Sequence, residues 1–295
     1  MSFHLSASVG IGMAFIAMLC WGFGDFLIQK STRKVGDWEA LFFITIFGAL
    51  ITLPFVWREL PTVLFSGSNV IWILFLASLI LFIGGILDFE ALRRGKLSIV
   101  EPIWSLEVPV AAVLAFFLVG ERITIIQIIL IVALVACLIL VAFREKKIHA
   151  RIFMEKGVIF AILGGTCMGA ANFFMGWGGR VTDPLIINFI SDVFIFVVSG
   201  IYLIGTNRIG HTIRDIKQNY GVLIPMSIAD KAAWVAYVFA MVTAPIAVAT
   251  ALSESYIIIA VLLGLAINKE KIHIHQKVGL VGAIIVAITL AVITT

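Results

Sequence analysis

The sequence predicts an all-α membrane protein of ten transmembrane helices, arranged as two inverted five-helix repeats. Three observations lead there. Of 295 residues, 62% are hydrophobic and 13% charged, with a mean hydropathy of +1.14, more apolar surface than a soluble domain can hide. Glu121-Arg122-Ile123-Thr124-Ile125-Ile126-Gln127 matches Glu270-Lys271-Ile272-His273-Ile274-His275-Gln276, each just after the fourth apolar run of its half, and the offset carries back without a gap to Ala91 and Ala240. Such internal repeats are common in secondary transporters. Finally, Lys and Arg fall very unevenly on the two sides that alternating spans define.

A helix needs roughly 20 apolar residues to cross the hydrocarbon core. Runs at 9–28, 38–57, 70–92, 98–119 and 124–143 supply the first half, and runs at 157–178, 184–204, 221–243, 247–267 and 277–295 the second. The chain thus divides into a first repeat, 1–143, a basic linker, 144–156, and a second repeat, 157–295. The first run reads as a retained helix, because Met1-Ser2-Phe3-His4 carries no Lys or Arg and the apolar stretch is long. The linker, from Arg144 to Lys156, is the most polar stretch of the chain, and the segment at 205–220, with Arg208, Arg214 and Lys217, reads as a loop too short to fold alone.

On the side facing away from the N-terminus lie seventeen Lys and Arg residues, among them Arg33, Lys34, Arg93, Arg94 and Arg208; the N-terminal side holds Arg58, Arg122 and Arg180. By the positive-inside rule the rich side is cytoplasmic and both termini face out. Five spans per half is an odd number, so the halves enter from opposite sides and the repeat is inverted. Net charge is +4, but the basic residues flank spans and report topology; no nucleic-acid partner follows.

Several function classes find no support in the residues. Cys20, Cys137 and Cys167 fall within expected spans without CxxC spacing, which argues against a disulfide framework or a zinc site. His273 and His275 read as part of a solvated basic loop beside Lys271 and Lys277. All five histidines lie outside the expected spans, where they cannot serve a membrane-embedded catalytic set, so the chain does not read as an enzyme. No GxxxxGK[ST] phosphate loop occurs, no filter motif repeats as a channel would need, and no cofactor or metal is implied.

Ionisable residues at bilayer depth cost on the order of 2.5–3.5 kcal/mol on insertion scales, so they face partners or water-filled cavities. Asp230 and Lys231 lie near the middle of the eighth span, with Trp234 and Tyr237 one and two turns beyond Asp230 on the same face. A carboxylate, an ammonium and two aromatic rings suit an amphipathic zwitterion. The competing reading is a structural pair in which Asp230 or Lys231 neutralises Glu254 or Asp192, and one pair can serve both purposes. Glu107 and Glu254 are the candidates for a titrating, proton-coupling carboxylate; alternatively Glu107 stays ionised against an Arg near a helix end.

Asp25, one turn after Trp21, and Asn172 in the sixth span occupy similar places in the two halves and read as cavity-lining counterparts. Asp88, one turn after Gly84, faces the cavity or joins Glu90 near Arg93, Arg94 and Lys96, where surface pairing is the preferred reading for Glu90. Trp104 either caps the cavity or anchors at the interface. Paired glycines such as Gly22 and Gly24, and Gly164 and Gly165, read first as close helix packing. Pro102, Pro109 and Pro245 read as hinges, because each removes a backbone donor.

Trp21-Gly22 followed by Lys30, and Ala91-Leu92-Arg93 ending the third run, resemble an EamA-type repeat of the drug/metabolite transporter superfamily. Ser105-Leu106-Glu107-Val108-Pro109-Val110-Ala111-Ala112, reaching Gly120-Glu121-Arg122 and Gln127, is similar to that family's longest motif. The chain departs from it where Pro109 sits one place late and where, in the second half, Tyr256 replaces the glutamate equivalent to Glu107, with Glu254 two residues earlier. The resemblance implies a secondary transporter, often an exporter of amino acids or other small metabolites driven by an ion or solute gradient. It implies a plasma-membrane protein whose partners are a small-molecule solute, protons and the bilayer, and a repeat within one chain points to a functional monomer. A carrier or flippase for a lipid-linked substrate is the alternative, marked by a positively charged mouth in place of a buried charge pair.

Overall fold

The structure is a computed structural model that describes residues 7–94, 100, 103–142, 156–259, 262 and 273–295, and among these no strand occurs. Linker residues 144–155, Glu101, Pro102 and the first part of the second motif, 270–272, lie outside the described residues. Helices α1 (Ala7–Val35), α2 (Asp37–Val56), α3 (Leu60–Leu64), α4 (Ser68–Arg94), α5 (Glu107–Val119) and α6 (Ile125–Ala142) form the first half. Helices α7 (Lys156–Val181), α8 (Pro184–Gly205), α9 (Ile209–Thr243), α10 (Ile246–Ser253) and α11 (Ile274–Thr294) form the second. Over the described residues, seven helices are long and apolar enough to cross a membrane, α1, α2, α4, α7, α8, α9 and α11, and three apolar helices are shorter. Their outer faces carry large apolar side chains such as Phe26, Phe55, Phe117, Ile201 and Val292.

Local chemistry sets the boundaries. Gly36, at φ 102°, turns the chain between α1 and α2 in a conformation that a β-carbon resists. Asp37 and Glu39 then occupy the first turn of α2, where the helix dipole favours acids. Asp183 caps α8 by accepting from the Leu185 N–H at 2.7 Å, with Pro184 at the first helical position. The two repeat motifs do the same work at α6 and α11. Thr124 N–H donates to Gln127 Oε1 at 2.8 Å and Gln127 N–H to Thr124 Oγ1 at 3.2 Å, closing a capping box; His273 and Gln276 close another at the start of α11. Each glutamine spends its remaining amide donors on the far end of the other helix: Gln127 Nε2 donates to Thr294 Oγ1 at 3.1 Å, and Gln276 Nε2 to the Val141 carbonyl at 2.9 Å. So α6 and α11 run antiparallel, stapled at both ends by equivalent residues.

Three expectations are corrected. Residues 209–220 are not a loop but the first turns of the 35-residue α9. Ile209, Thr212, Ile216 and Asn219 point inward at helical spacing while Arg214 and Lys217 stay exposed, so an amphipathic stripe holds a helix that overall hydropathy conceals. His273 is a helix cap and His275 lies in the first turn of α11, not in a basic loop. Pro109 does not kink a continuous span: it sits in the first turn of α5, where its missing N–H costs no bond, and the helical turn at Ile103 and Trp104 ends at Ser105-Leu106 before it. Its counterpart in the second half breaks at Glu254-Ser255, between α10 and a further turn at Tyr256–Ile259, the same offset that separates the two repeat motifs.

Packing follows a reciprocal scheme. The closest helix pairs are α1 with α9, α4 with α7, α2 with α8 and α6 with α11. Exchanging the halves turns the first pair into the second and the third and fourth into themselves; the lesser pairs α5 with α7 and α10 with α1 exchange likewise. Small residues allow the close approaches: Ala14 and Ala17 on α1 and Ala233 and Ala240 on α9 are fully buried. At Gly169 a β-carbon would come within 2.7 Å of the Glu107 carbonyl, so α7 touches the broken segment through glycine.

Candidate functional site

The breaks open the middle of the bundle. Around them lies a cavity that encloses about 870 Å³ of space, open solvent at its mouth included. Both halves line it: Trp21 and Ile28 on α1, Ile44 and Thr45 on α2, Gly85 and Asp88 on α4, with Trp104 and Glu107 at the first break. From the second half come Met168 and Asn172 on α7, Asp192 and Ile195 on α8, Asp230, Lys231 and Trp234 on α9, and Glu254 and Tyr256 at the second break. These positions lie at the middle of the helices and toward the end carrying the α1–α2 turn. The opposite end is filled by the larger buried apolar cluster, which runs from Ile11 on α1 through Met241 on α9 to Val248 on α10.

Lys231 is the electrostatic centre. Its Nζ lies 2.6 Å from Asp192 Oδ1 and 3.4 Å from Asp230 Oδ2, tying α9 to α8. The structural pairing expected for this residue is therefore present, with Asp192 as the close partner. Asp192 Oδ2 is buried without a hydrogen-bond partner and lies against Gly48 of α2, where no side chain intervenes. Across the cavity Asn172 Nδ2 donates to Glu107 Oε2 at 2.9 Å, joining α7 to α5.

The aromatic residues meet as a group. Trp21 packs edge-on against Trp234, with ring centroids 5.4 Å apart, and against Tyr237 at 4.9 Å. Trp234 lines the cavity but Tyr237 does not: it is fully buried beneath, its hydroxyl donating to Thr250 Oγ1 at 2.8 Å. Trp104 lies on the cavity wall, and its indole N–H is buried without an acceptor. Of the residues singled out in the sequence, Trp21, Trp104, Glu107, Asn172, Asp230, Lys231, Trp234, Glu254 and Tyr256 thus surround one space. The side chain of Asp25 lies outside the described residues. Thr45 and Met168 were not anticipated, for a threonine and a methionine inside apolar runs carry no signal of their own.

Charged clusters occupy both ends. At the α1–α2 turn, Arg208 Nη2 bonds Glu39 Oε1 at 2.6 Å, Arg93 Nε lies 3.1 Å from Asp37 Oδ2, and Glu90 pairs with Arg93 and Arg94, as expected for the membrane edge. Trp38 stacks on Tyr202 beside them, centroids 3.8 Å apart. At the other end Arg180, at the close of α7, donates to the carbonyls of Met241 at 2.8 Å and Ala244 at 2.9 Å, and to Glu121 Oε2 at 2.8 Å. The arginine meets the C-terminus of α9 and Glu121 the N-terminus of α10, each where the helix dipole favours its charge. No cluster of His, Cys, Asp and Glu suited to a metal ion occurs among the described residues.

The sequence profile of the EamA-like transporter family matches residues 8–143 and 155–293, one copy in each half. An "Uncharacterized transporter" of Archaeoglobus fulgidus is 29% identical over 90 residues, covering 30% of this chain and 32% of that protein, so the match spans about a third of the relative's length. A protein of known crystal structure superposes with a TM-score of 0.74 over 98% of this chain and 99% of its own, at 13% identity, a likeness of fold.

Proposed function

Because the chain belongs to the EamA-like transporter family, it is a multi-pass membrane transporter, and we propose that it is a secondary active exporter of a small metabolite, such as an amino acid, working by alternating access. The observation that carries this reading is the charged, aromatic-lined cavity at the middle of the bundle, to which both halves contribute. Trp21, Asp25, Trp104, Asn172, Asp230, Lys231, Trp234 and Tyr256 contact the solute, with Tyr237 as their support. Glu107 and Glu254, delivered by helix breaks, carry the coupling protons.

The reciprocal packing and the antiparallel course of α6 and α11 support ten spans in two inverted repeats, 1–143 and 157–295, joined by 144–156. Broken helices near the bilayer midplane are where transporters of this kind bind their ligands. The basic end, with Arg33, Lys34, Arg93 and Arg208, faces the cytoplasm and both termini face out of the plasma membrane; the cavity then lies nearer the cytoplasm, closed from outside by the apolar cluster and Arg180. Both repeats lie within one chain and both line the cavity, which favours a functional monomer. A lipid-linked substrate calls for a basic-rimmed mouth, whereas Lys231 is the one basic residue among the described lining residues.

Counterflow in liposomes tests the reading, with labelled amino acids, amines, sugars and nucleosides, with and without an imposed pH gradient. Exchange of one class is expected, weakened at least about tenfold in Asp230→Asn and uncoupled from the gradient in Glu254→Gln. Folded protein that exchanges none of them but moves a labelled lipid would turn the assignment to the flippase alternative.

A further inference from the structure

The basic end of the bundle holds two kinds of cation. Around the α1–α2 turn, Arg93, Arg94 and Arg208 are taken up by Asp37, Glu90 and Glu39. Lys30, Arg33 and Lys34 in the last turns of α1, and Lys217 near the start of α9, are exposed, and among the described residues no carboxylate pairs with any of them. Arg214 meets the ring of His211, and Asp215 sits half-buried beside the inward stripe of α9. These cations come together because α1 and α9 form one of the closest pairs in the bundle and run antiparallel. A β-carbon at Gly10 would run into Thr243, and one at Gly24 would lie 3.6 Å from Ala229, so equal steps along α1 and back along α9 stay level. Nine residues past Gly24 is Arg33 and nine before Ala229 is Tyr220, which places Arg33 within about a turn of Lys217.

Next to the charges, each helix turns an apolar stripe outward. Phe23 and Phe26 on α1, and Ile224 and Ile228 on α9, are exposed at the spacing of one helix face. Lys30 continues the first stripe one turn beyond Phe26, and Lys217 continues the second two turns before Ile224. The apolar run of α1 ends at 28 and that of α9 begins at 221, so both stripes change from apolar to basic where hydrocarbon gives way to headgroups. Long basic side chains reach that level by snorkelling. Each unpaired Lys or Arg near the surface strengthens binding of an anionic lipid by about fivefold, and a guanidinium can hold two phosphate oxygens at once.

We propose that α1 and α9 together bind an anionic phospholipid in the leaflet at the basic end. Its phosphate lies among Lys30, Arg33, Lys34 and Lys217, and its acyl chains run along Phe23, Phe26, Ile224 and Ile228. A zwitterionic lipid brings its own ammonium up to the same cations and gains less from them. The arginines at the α1–α2 turn, already neutralised by acids, add little to this selection. The site is separate from the central cavity and stands whatever solute is transported.

The test is native mass spectrometry of the full chain in detergent, titrated with phosphatidylglycerol or with phosphatidylcholine of the same acyl chains. The parent is expected to bind its first phosphatidylglycerol about tenfold or more tighter than its first phosphatidylcholine. Lys30→Gln, Arg33→Gln and Lys217→Gln combined are expected to lose at least about tenfold in affinity for phosphatidylglycerol while binding phosphatidylcholine unchanged, a pattern that misfolding does not produce. Lys277→Gln, exposed in the first turn of α11, which packs against α6, is expected to change the affinity less than about twofold, against about fivefold for Lys217→Gln alone. Equal affinity for the two lipids overturns the proposal, as does undiminished phosphatidylglycerol binding in the triple variant or a loss in Lys277→Gln as large as in Lys217→Gln. Displacement of the lipid by equimolar glycerol 3-phosphate also overturns it, because the free anion would then be the ligand.

Discussion

At the scale of single residues, the cavity turns on Lys231, because two aspartates rely on one ammonium. Asp192 is 2% exposed and Asp230 7%, so losing the lysine would leave two carboxylates at bilayer depth facing each other. Removing one partner of a buried pair costs about 3–5 kcal/mol, far more than the pair's net worth. Lys231→Met is therefore expected to lower stability by that order, read as an earlier unfolding midpoint in detergent. Lys231→Met combined with Asp192→Asn is expected to recover much of it, since the double variant removes charge from both sides; a single variant as stable as the parent would mean that the aspartates carry no charge to compensate. The sequence exposed one half of this arrangement. Adjacent Asp230 and Lys231 in an apolar run are conspicuous, and the helical spacing to Trp234 and Tyr237 is readable directly. The choice of Asp192 over Glu254 as the close partner was not readable, because it depends on how α8 and α9 sit together. Nor was the depth of Tyr237, which shares a stripe with Trp234 but lies one layer below the cavity.

At the scale of elements, the two halves build equivalent devices by different chemical means. The break at Ser105-Leu106 has Pro109 behind it and was partly legible; the break at Glu254-Ser255 lies at the equivalent position with no proline, and local sequence gives no sign of it. The repeated motifs were legible as a repeat, whereas their purpose, capping boxes whose glutamines reach the opposite helix, needed the antiparallel pairing of α6 with α11. Arg180 is the clearest device at the end away from the α1–α2 turn, for one side chain ties α7, the last carbonyls of α9, the turn into α10, and Glu121. Hydrogen bonds to charged groups contribute about 1.5–3 kcal/mol each, so losing this set shifts an open-to-closed ratio at that end by at least the roughly ten- to hundredfold that one such bond is worth. In a background lacking the native cysteines, Thr243→Cys, half-buried near this clamp, is expected to react with a membrane-impermeant maleimide faster by that factor when Arg180→Ala is added. Arg180→Lys is expected to fall between, because an ammonium cannot span three acceptors as a guanidinium does. An unchanged rate in Arg180→Ala would remove the clamp from any account of closure.

At the scale of the whole molecule, the remaining question is which way round it sits, and the charges answer it through parity. If ten spans cross the bilayer, the α2–α4 connection and the C-terminus share a side, while the start of α9 takes the other. Arg33, Lys34, Arg93, Arg94, Arg208, Arg214 and Lys217 are all exposed at that second end, and placing such a concentration on the cytoplasmic face is the arrangement that membrane insertion favours. Single cysteines read this out directly in intact cells lacking the native ones. Ser66→Cys, in the turn after α3, and Thr295→Cys, after α11, both exposed positions, are expected to be labelled by an impermeant maleimide from outside. Gly210→Cys, exposed in the first turn of α9, is expected to be labelled only after permeabilisation. The mirror-image pattern would reverse the orientation while keeping the ten spans, and would move the cavity's nearer end from the cytoplasm to the exterior. Labelling of Thr295→Cys and Gly210→Cys from the same side would break the parity itself, and with it the claim that α9, the span at 247–267 and α11 each cross the bilayer. The three outcomes bear on different physics: agreement supports both charge and hydropathy, reversal faults the charge rule alone, and lost parity faults the span count that underlies the inverted repeat.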